Sequence, residues 1–203
     1  MLRKVFTWLM LKWEMRDKLP PNLKTTVVVG MSLSPMKDGD LGKPAKKVLE
    51  RSAKWVMKSW SSRMLLSNRF MVKKLNLSLA EAERDYVRGL GVPFKQVIIP
   101  RSPRNPWIRN TKRESEFAVQ FVENMDVTGR KSILVIANFI HMKRVVATFR
   151  NTLVGSDVEL YWISTGSDKD FGPGFVQKRF RHPLFFLCYE MVALTYSRLR
   201  GIA

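Results

Sequence analysis

Five short apolar runs punctuate this chain, the first of them rich in β-branched residues, and helical periodicity fills the stretches between them. The runs lie at 25–30 (Thr25-Thr26-Val27-Val28-Val29-Gly30), 62–67, 96–99, 132–137 (Ser132-Ile133-Leu134-Val135-Ile136-Ala137) and 158–163. A continuous apolar run of this length fits a strand buried on both faces, as in a parallel sheet. Strands alternating with helices place the chain in the α/β class. The expected architecture is a three-layer α/β/α, Rossmann-like domain around a mainly parallel sheet of about five strands. The 203 residues suffice for one sizeable core. No internal repeat or second-domain boundary is evident, so the organisation reads as an amphipathic helix over 1–21 followed by one domain over 22–203.

The helices are expected near 45–59, 79–90, 111–124, 140–152 and 183–199. Gly91 suits the position just past a helix end, and Pro93 prevents continuation. Thr111 and Glu114 have the spacing of a capping box. Residues 68–78 carry no clear pattern.

Charge bears on partners rather than on fold. Lys and Arg number 36 against 17 Asp and Glu, a net charge of +19. Such an excess repels itself unless solvent or an anionic partner screens it. Nucleic acid, an anionic membrane surface and a phosphorylated small molecule are the partner classes; plain solubility is the competing account. The single cysteine, Cys188, excludes an intrachain disulfide and fits a reducing compartment. Among Phe185, Phe186, Leu187 and Tyr189 it reads as a small buried hydrophobe. Two histidines leave little scope for a histidine metal cluster, and no metal site is expected. Within residues 1–18 the longest uncharged run, Val5 to Leu11, has 7 residues, against roughly 20 for a transmembrane helix. This segment is expected either to lie in a membrane interface through Phe6, Trp8, Leu9 and Trp13 or to pack on the domain through the same residues. The expected location is cytoplasmic, peripheral to the inner membrane face in the first case.

Candidate chemistry gathers after the fourth apolar run, where Asn138, His141 and Arg144 occupy the turn and the first helical residues. Open α/β sheets bind ligands at this edge, and a helix N-terminus offers free N–H groups to an anion. Arg144 suits a bidentate phosphate or carboxylate contact, and His141 a general acid or base. The competing reading is a histidine capping its own helix and an arginine covering the surface. Gly30 permits a tight turn after the first run, but neither GxGxxG nor GxxxxGK[ST] follows it. Asp38 and Asp40 match ordinary turn chemistry and lack the other ligand positions of a calcium loop. Arg101, Arg104, Arg109 and Trp107 form a proline-rich basic loop without a nucleic-acid motif. Lys178 to His182 is a further basic run, and in the helix after it Phe185, Phe186, Met191 and Leu194 read as core. No Ser-His-Asp order or paired-carboxylate signature stands out.

The order of these pieces resembles the YdcF-like family of bacterial domains of unknown function. The resemblance rests on Val27-Val28-Val29-Gly30, Arg51, Ser67, Glu81-Ala82, Leu90-Gly91-Val92-Pro93 with Val97-Ile98-Ile99, Asn110-Thr111-x-x-Glu114, Val135-Ile136-Ala137-Asn138-x-x-His141-Met142-x-Arg144, and Tyr196-Ser197-Arg198-Leu199-Arg200-Gly201. It spans roughly 25–201 and implies a Rossmann-like fold with a ligand cleft at the strand ends. It also implies binding of S-adenosylmethionine or a related nucleotide, with Gly30, Arg51, Ser67, Thr111, Glu114, Asn138, His141 and Arg144 around the ligand. His141 is then the best catalytic candidate. The chain departs from the family pattern at Ser67-Asn68-Arg69, which lacks the usual glycines, at Pro100 in place of an acidic residue, and at Ala137-Asn138. Two functions compete. One is a site for an anionic, nucleotide-like small molecule, reaction unassigned. The other is a non-enzymatic basic binding or assembly protein that contacts nucleic acid, a larger complex or an anionic membrane surface.

Overall fold

The computed structural model describes residues 10, 12–20, 26–32, 40–66, 71–72, 77–99, 110–171 and 181–202. Strand β1 (Thr26–Met31) is followed by helix α1 (Lys43–Val56), β2 (Arg63–Leu65), a small hairpin of β3 (Met71–Val72) and β4 (Leu77–Ser78), and α2 (Leu79–Gly89). Then come β5 (Val97–Ile98), α3 (Thr111–Glu123), β6 (Ser132–Asn138), α4 (Phe139–Thr152), β7 (Glu159–Thr165) and α5 (Pro183–Leu199). Five strands form one all-parallel sheet in the order β5-β2-β1-β6-β7. The antiparallel β3–β4 hairpin occupies part of the stretch that carries no clear pattern in the sequence.

The period-two alternation of the strands divides the core. Val28, Leu134, Ile136, Tyr161 and Ile163 pack against α1 and α2. Val27, Val29, Ile133, Val135, Leu160 and Trp162 pack against α3 and α4. The three-layer Rossmann-like fold follows directly, since every residue of β6 is buried and each face needs its own cover. Helix α1 starts with Pro44 in its first turn, where a missing N–H costs nothing, and buries Ala45, Val48, Leu49, Ser52, Ala53 and Val56. Helix α2 opens with a true capping box: the Ser78 hydroxyl accepts from Glu81 N–H, and the Glu81 carboxylate accepts from Ser78 N–H. Gly91, at φ 94°, follows it in the left-handed conformation that its position past the helix end requires.

Gly30 serves a different purpose from the turn read in the sequence. It lies inside β1, paired with Ile136, and a Cβ there would meet Ser52 Oγ at 3.2 Å. Glycine allows α1 to approach the strand closely. The N-terminal segment also differs from expectation. Its described helical residues end at Trp13 rather than continuing to Pro20. Residues 16–18 instead run along the outer edge of β7. Lys18 exchanges two backbone hydrogen bonds with Trp162, at 2.9 and 3.0 Å. Trp162 Nε1 donates to the Arg16 carbonyl, and the Asp17 carboxylate accepts from Ser164 N–H. Trp13 packs with Ile140, Phe186 and Leu187 and donates to the Ile140 carbonyl at 2.6 Å, so it belongs to the domain rather than to a membrane-facing helix.

Candidate functional site

The chain passes from β1 to β2 in one direction and from β5 to β6 in the other. The topological switch point therefore falls between β1 and β6, beyond their C-terminal ends. Ser32 follows β1 and Asn138 ends β6; the register that pairs Met31 with Ala137 makes them neighbours. The Asn138 side chain caps α4, its oxygen accepting from Ile140 N–H at 3.1 Å. Its amide nitrogen, fully buried, has no hydrogen-bond partner. Gly166 approaches it so closely that an added Cβ would lie 2.6 Å from Nδ2, and its φ of 89° is left-handed as well.

Glu83 reaches the same edge from α2. Ser32 Oγ donates to Glu83 Oε1, while Glu83 Oε2 is buried without a partner. Burial pushes the Glu83 pKa up to about 8; the Ser32 hydrogen bond opposes this and the nearby Glu114 charge adds to it. Burial likewise raises Glu114 to about 7, against the pull of Arg144. Two carboxyls that hold protons near neutrality are candidates for proton transfer, a signature absent from local sequence spacing. The register of α2 offered one clue. Glu83 shares its face with Ala80 and Val87, where a charge has no ordinary reason to be.

Thr111 and Glu114 do not form the capping box that their spacing suggests. Asn110 is the N-cap and accepts from Arg113 N–H at 2.9 Å. This frees Thr111 to accept from Arg144 Nη1 at 3.1 Å, and it leaves Glu114 facing the interior.

His141 and Arg144 do share a face of α4, but that face meets α5. Arg144 grips Glu190 bidentately, Nε to Oε2 at 2.7 Å and Nη2 to Oε1 at 3.0 Å. His141 Nδ1 donates to Glu190 Oε2 at 3.0 Å. Burial alone would raise the Glu190 pKa, but His141 and Arg144 together hold it down at about 2. The guanidinium is thus committed to Glu190 and Thr111 rather than awaiting a phosphate. Neither residue matches the alternative of a self-capping histidine and a surface arginine. A groove of about 560 Å³ opens beside this cluster, lined by Asn110, Thr111, Lys112, Arg113, Arg144 and Ser197 among others. Its cations are partly neutralised, because Glu116 pairs with both Lys112 and Arg113.

Arg51 does not join these groups. It lies exposed on α1, the layer opposite α3, α4 and α5. Ser67, the loop arginines 101, 104 and 109 with Trp107, and Asp38 fall outside the described residues. Cys188 is exposed, not buried, because it projects from the outer side of α5. Among the described residues no cluster of three or more His, Cys, Asp or Glu side chains is placed to hold a metal ion, and no helix is long and apolar enough to cross a membrane. Neither protein-family models, nor curated proteins, nor solved structures match the chain.

Proposed function

We propose that the chain is a divergent YdcF-like domain that binds an anionic, nucleotide-like small molecule at the switch point between β1 and β6, with S-adenosylmethionine as the first candidate. One observation carries this reading: Asn138 Nδ2 and Glu83 Oε2 are buried and unpaired at the edge where open α/β sheets take ligands. Such groups cost stability in an empty site and are satisfied when a ligand supplies partners. The amide donates to an anion or a ring nitrogen. The protonated Glu83 carboxyl pairs with a sugar hydroxyl without repelling the ligand charge. The N-terminus of α4 adds a favourable dipole end. Arg144 bears on this site through Glu114, whose charge it offsets and which in turn acts on Glu83.

Calorimetry with S-adenosylmethionine, nucleotides and sugar phosphates tests the reading. At least one of these should bind, and Asn138→Asp should weaken it by about 1–3 kcal/mol, because the helix cap is kept while the amide donor is lost. A second reading, a non-enzymatic basic module that contacts polyanions, rests on the +19 charge. It becomes the better account if nothing in the panel binds the wild-type protein while a labelled oligonucleotide binds with steep salt dependence.

A further inference from the structure

Helix α5 has one face in the domain and one in solvent, and the solvent face is apolar as well. Glu190 and Leu194 point inward with Phe186 and Leu187. Phe185, Cys188, Tyr189, Val192, Tyr196 and Leu199 recur at helical spacing on the other side, and all are exposed. Phe185 is 67 %, Val192 69 % and Leu199 84 % accessible. The stripe runs for about 21 Å at 1.5 Å per residue. Contiguous apolar surface of this length on a highly charged protein marks a contact site.

Charge identifies the occupant. The only acidic residue of α5 is Glu190, buried and already ion-paired. Arg198 and Arg200 lie at the C-terminal end and Arg181 just before the N-terminal end; the Arg200 guanidinium sits 5.2 Å from the Tyr196 ring centroid. On the adjacent helix Lys143 is close enough to Arg198 that this charge, added to burial, depresses its ammonium pKa. An apolar strip framed by crowded cations fits a surface that is oily beneath and negative on top. A second copy of the chain fits poorly, since it would bring two molecules of net charge +19 together.

We propose that the outer face of α5 docks onto anionic lipid bilayers, lying in the headgroup plane with Phe185, Val192 and Leu199 inserted and the arginines at its ends on lipid phosphates. The helix does not span; it rests at the interface, where aromatic and long basic side chains are at home. This proposal is independent of the ligand at the sheet edge.

The single cysteine provides the probe. Full-length protein labelled at Cys188 with an environment-sensitive fluorophore should blue-shift on mixed phosphatidylcholine–phosphatidylglycerol vesicles and stay unchanged on phosphatidylcholine alone. In sedimentation with the mixed vesicles, Val192→Asp should lower the bound fraction at least tenfold, with its circular dichroism unchanged because the site is exposed. Arg198→Glu with Arg200→Glu should also weaken binding and flatten its salt dependence. Binding of the unlabelled Val192→Asp variant equal to wild type would mean that charge alone holds the protein and would overturn the proposal. So would a concentration-dependent dimer that Val192→Asp disperses, since the stripe would then be a self-association face. Absence of binding to anionic vesicles at low salt would overturn it as well.

Discussion

Helix α4 joins two interfaces of opposite chemistry. Its inner side, Met142, Val145, Val146 and Phe149, packs on the sheet in an apolar cluster. Its outer side presents His141 and Arg144 to Glu190 of α5 and to Thr111 of α3. The inner contact draws its strength from area removed from water and tolerates small shifts of packing. The outer contact is directional. The bidentate fork admits one register of α5 against α4, and any other leaves a buried charge unpaired. The comparison separates what holds this domain together from what fixes the placement of its last helix.

The largest expected effect lies on the inner side. Phe149 is fully buried, and Phe149→Ala should cost about 3–5 kcal/mol in chemical denaturation, as a large cavity in a close-packed core does. A loss below about 1 kcal/mol would mean that α4 is not anchored there.

Next comes Glu190→Gln, which removes the anion and leaves Arg144 and His141 facing a neutral amide. The expected loss is about 3 kcal/mol, the cost of an uncompensated buried charge. The apolar triple replacement His141→Leu, Arg144→Met and Glu190→Leu should recover most of it, because no charge is then stranded. If the triple variant is as unstable as Glu190→Gln, the outer interface owes its strength to the ion pairs themselves and the contrast between the two sides fails.

The smallest effect is a pH dependence, and it sets the carboxyls at the sheet edge against the one beneath α5. Glu83 and Glu114, raised to about 8 and about 7, favour the fold while protonated. Their contribution is complete below the ordinary carboxyl range and is lost as pH rises through those values. Glu190, lowered to about 2, does the opposite: its contribution is present above the ordinary range and is lost as pH falls toward 2. The Glu83 proton alone, held only by the fold, makes stability fall by about 1.4 kcal/mol per pH unit, so about 2 kcal/mol between about pH 6 and 7.5, and Glu114 adds to the fall up to about pH 7. Urea midpoints at the two pH values should show the drop, and Glu83→Gln, a permanent mimic of the protonated acid, should remove the Glu83 share and leave only the smaller part that Glu114 carries. An unchanged slope in Glu83→Gln would remove Glu83 from this account.

Sheet and helices were legible because burial writes itself locally. Val27 to Val29 and Ile133 to Ala137 have neighbours in both layers, so every position had to be apolar. The edges were less legible. Thr111 and Glu114 copied the spacing of a capping box, but the residue ahead of them, Asn110, is itself a strong cap and moved the helix start by one. Glu190 lies 46 and 49 residues beyond Arg144 and His141, and no local spacing links such positions. What could have exposed it is its register: a lone acid on the same side of α5 as Phe186, Leu187 and Leu194 demands a buried cation somewhere. Cys188, Phe185 and Met191 were misplaced for the converse reason. An apolar helix reads as core, and the sequence alone does not say that α5 is the outermost layer.

The strand-like passage of residues 16–18 along β7 has a bearing on how the sheet is guarded against edge-to-edge association. A parallel sheet ends in a row of open N–H and C=O groups that any extended chain can extend, including the same strand of a neighbouring molecule. Here Lys18 takes both groups of Trp162, and the Asp17 carboxylate takes the N–H of Ser164, so the middle of that row is closed by the chain's own leader. The segment that does this brings a lysine and an aspartate with it, and charged side chains at a sheet border discourage further strands from joining. Proteolytic loss of the chain up to Lys18 would strip Trp13 and Met15 from the packing and uncover Tyr161 and Trp162 beside unpaired backbone, converting a guarded border into a seed for aggregation.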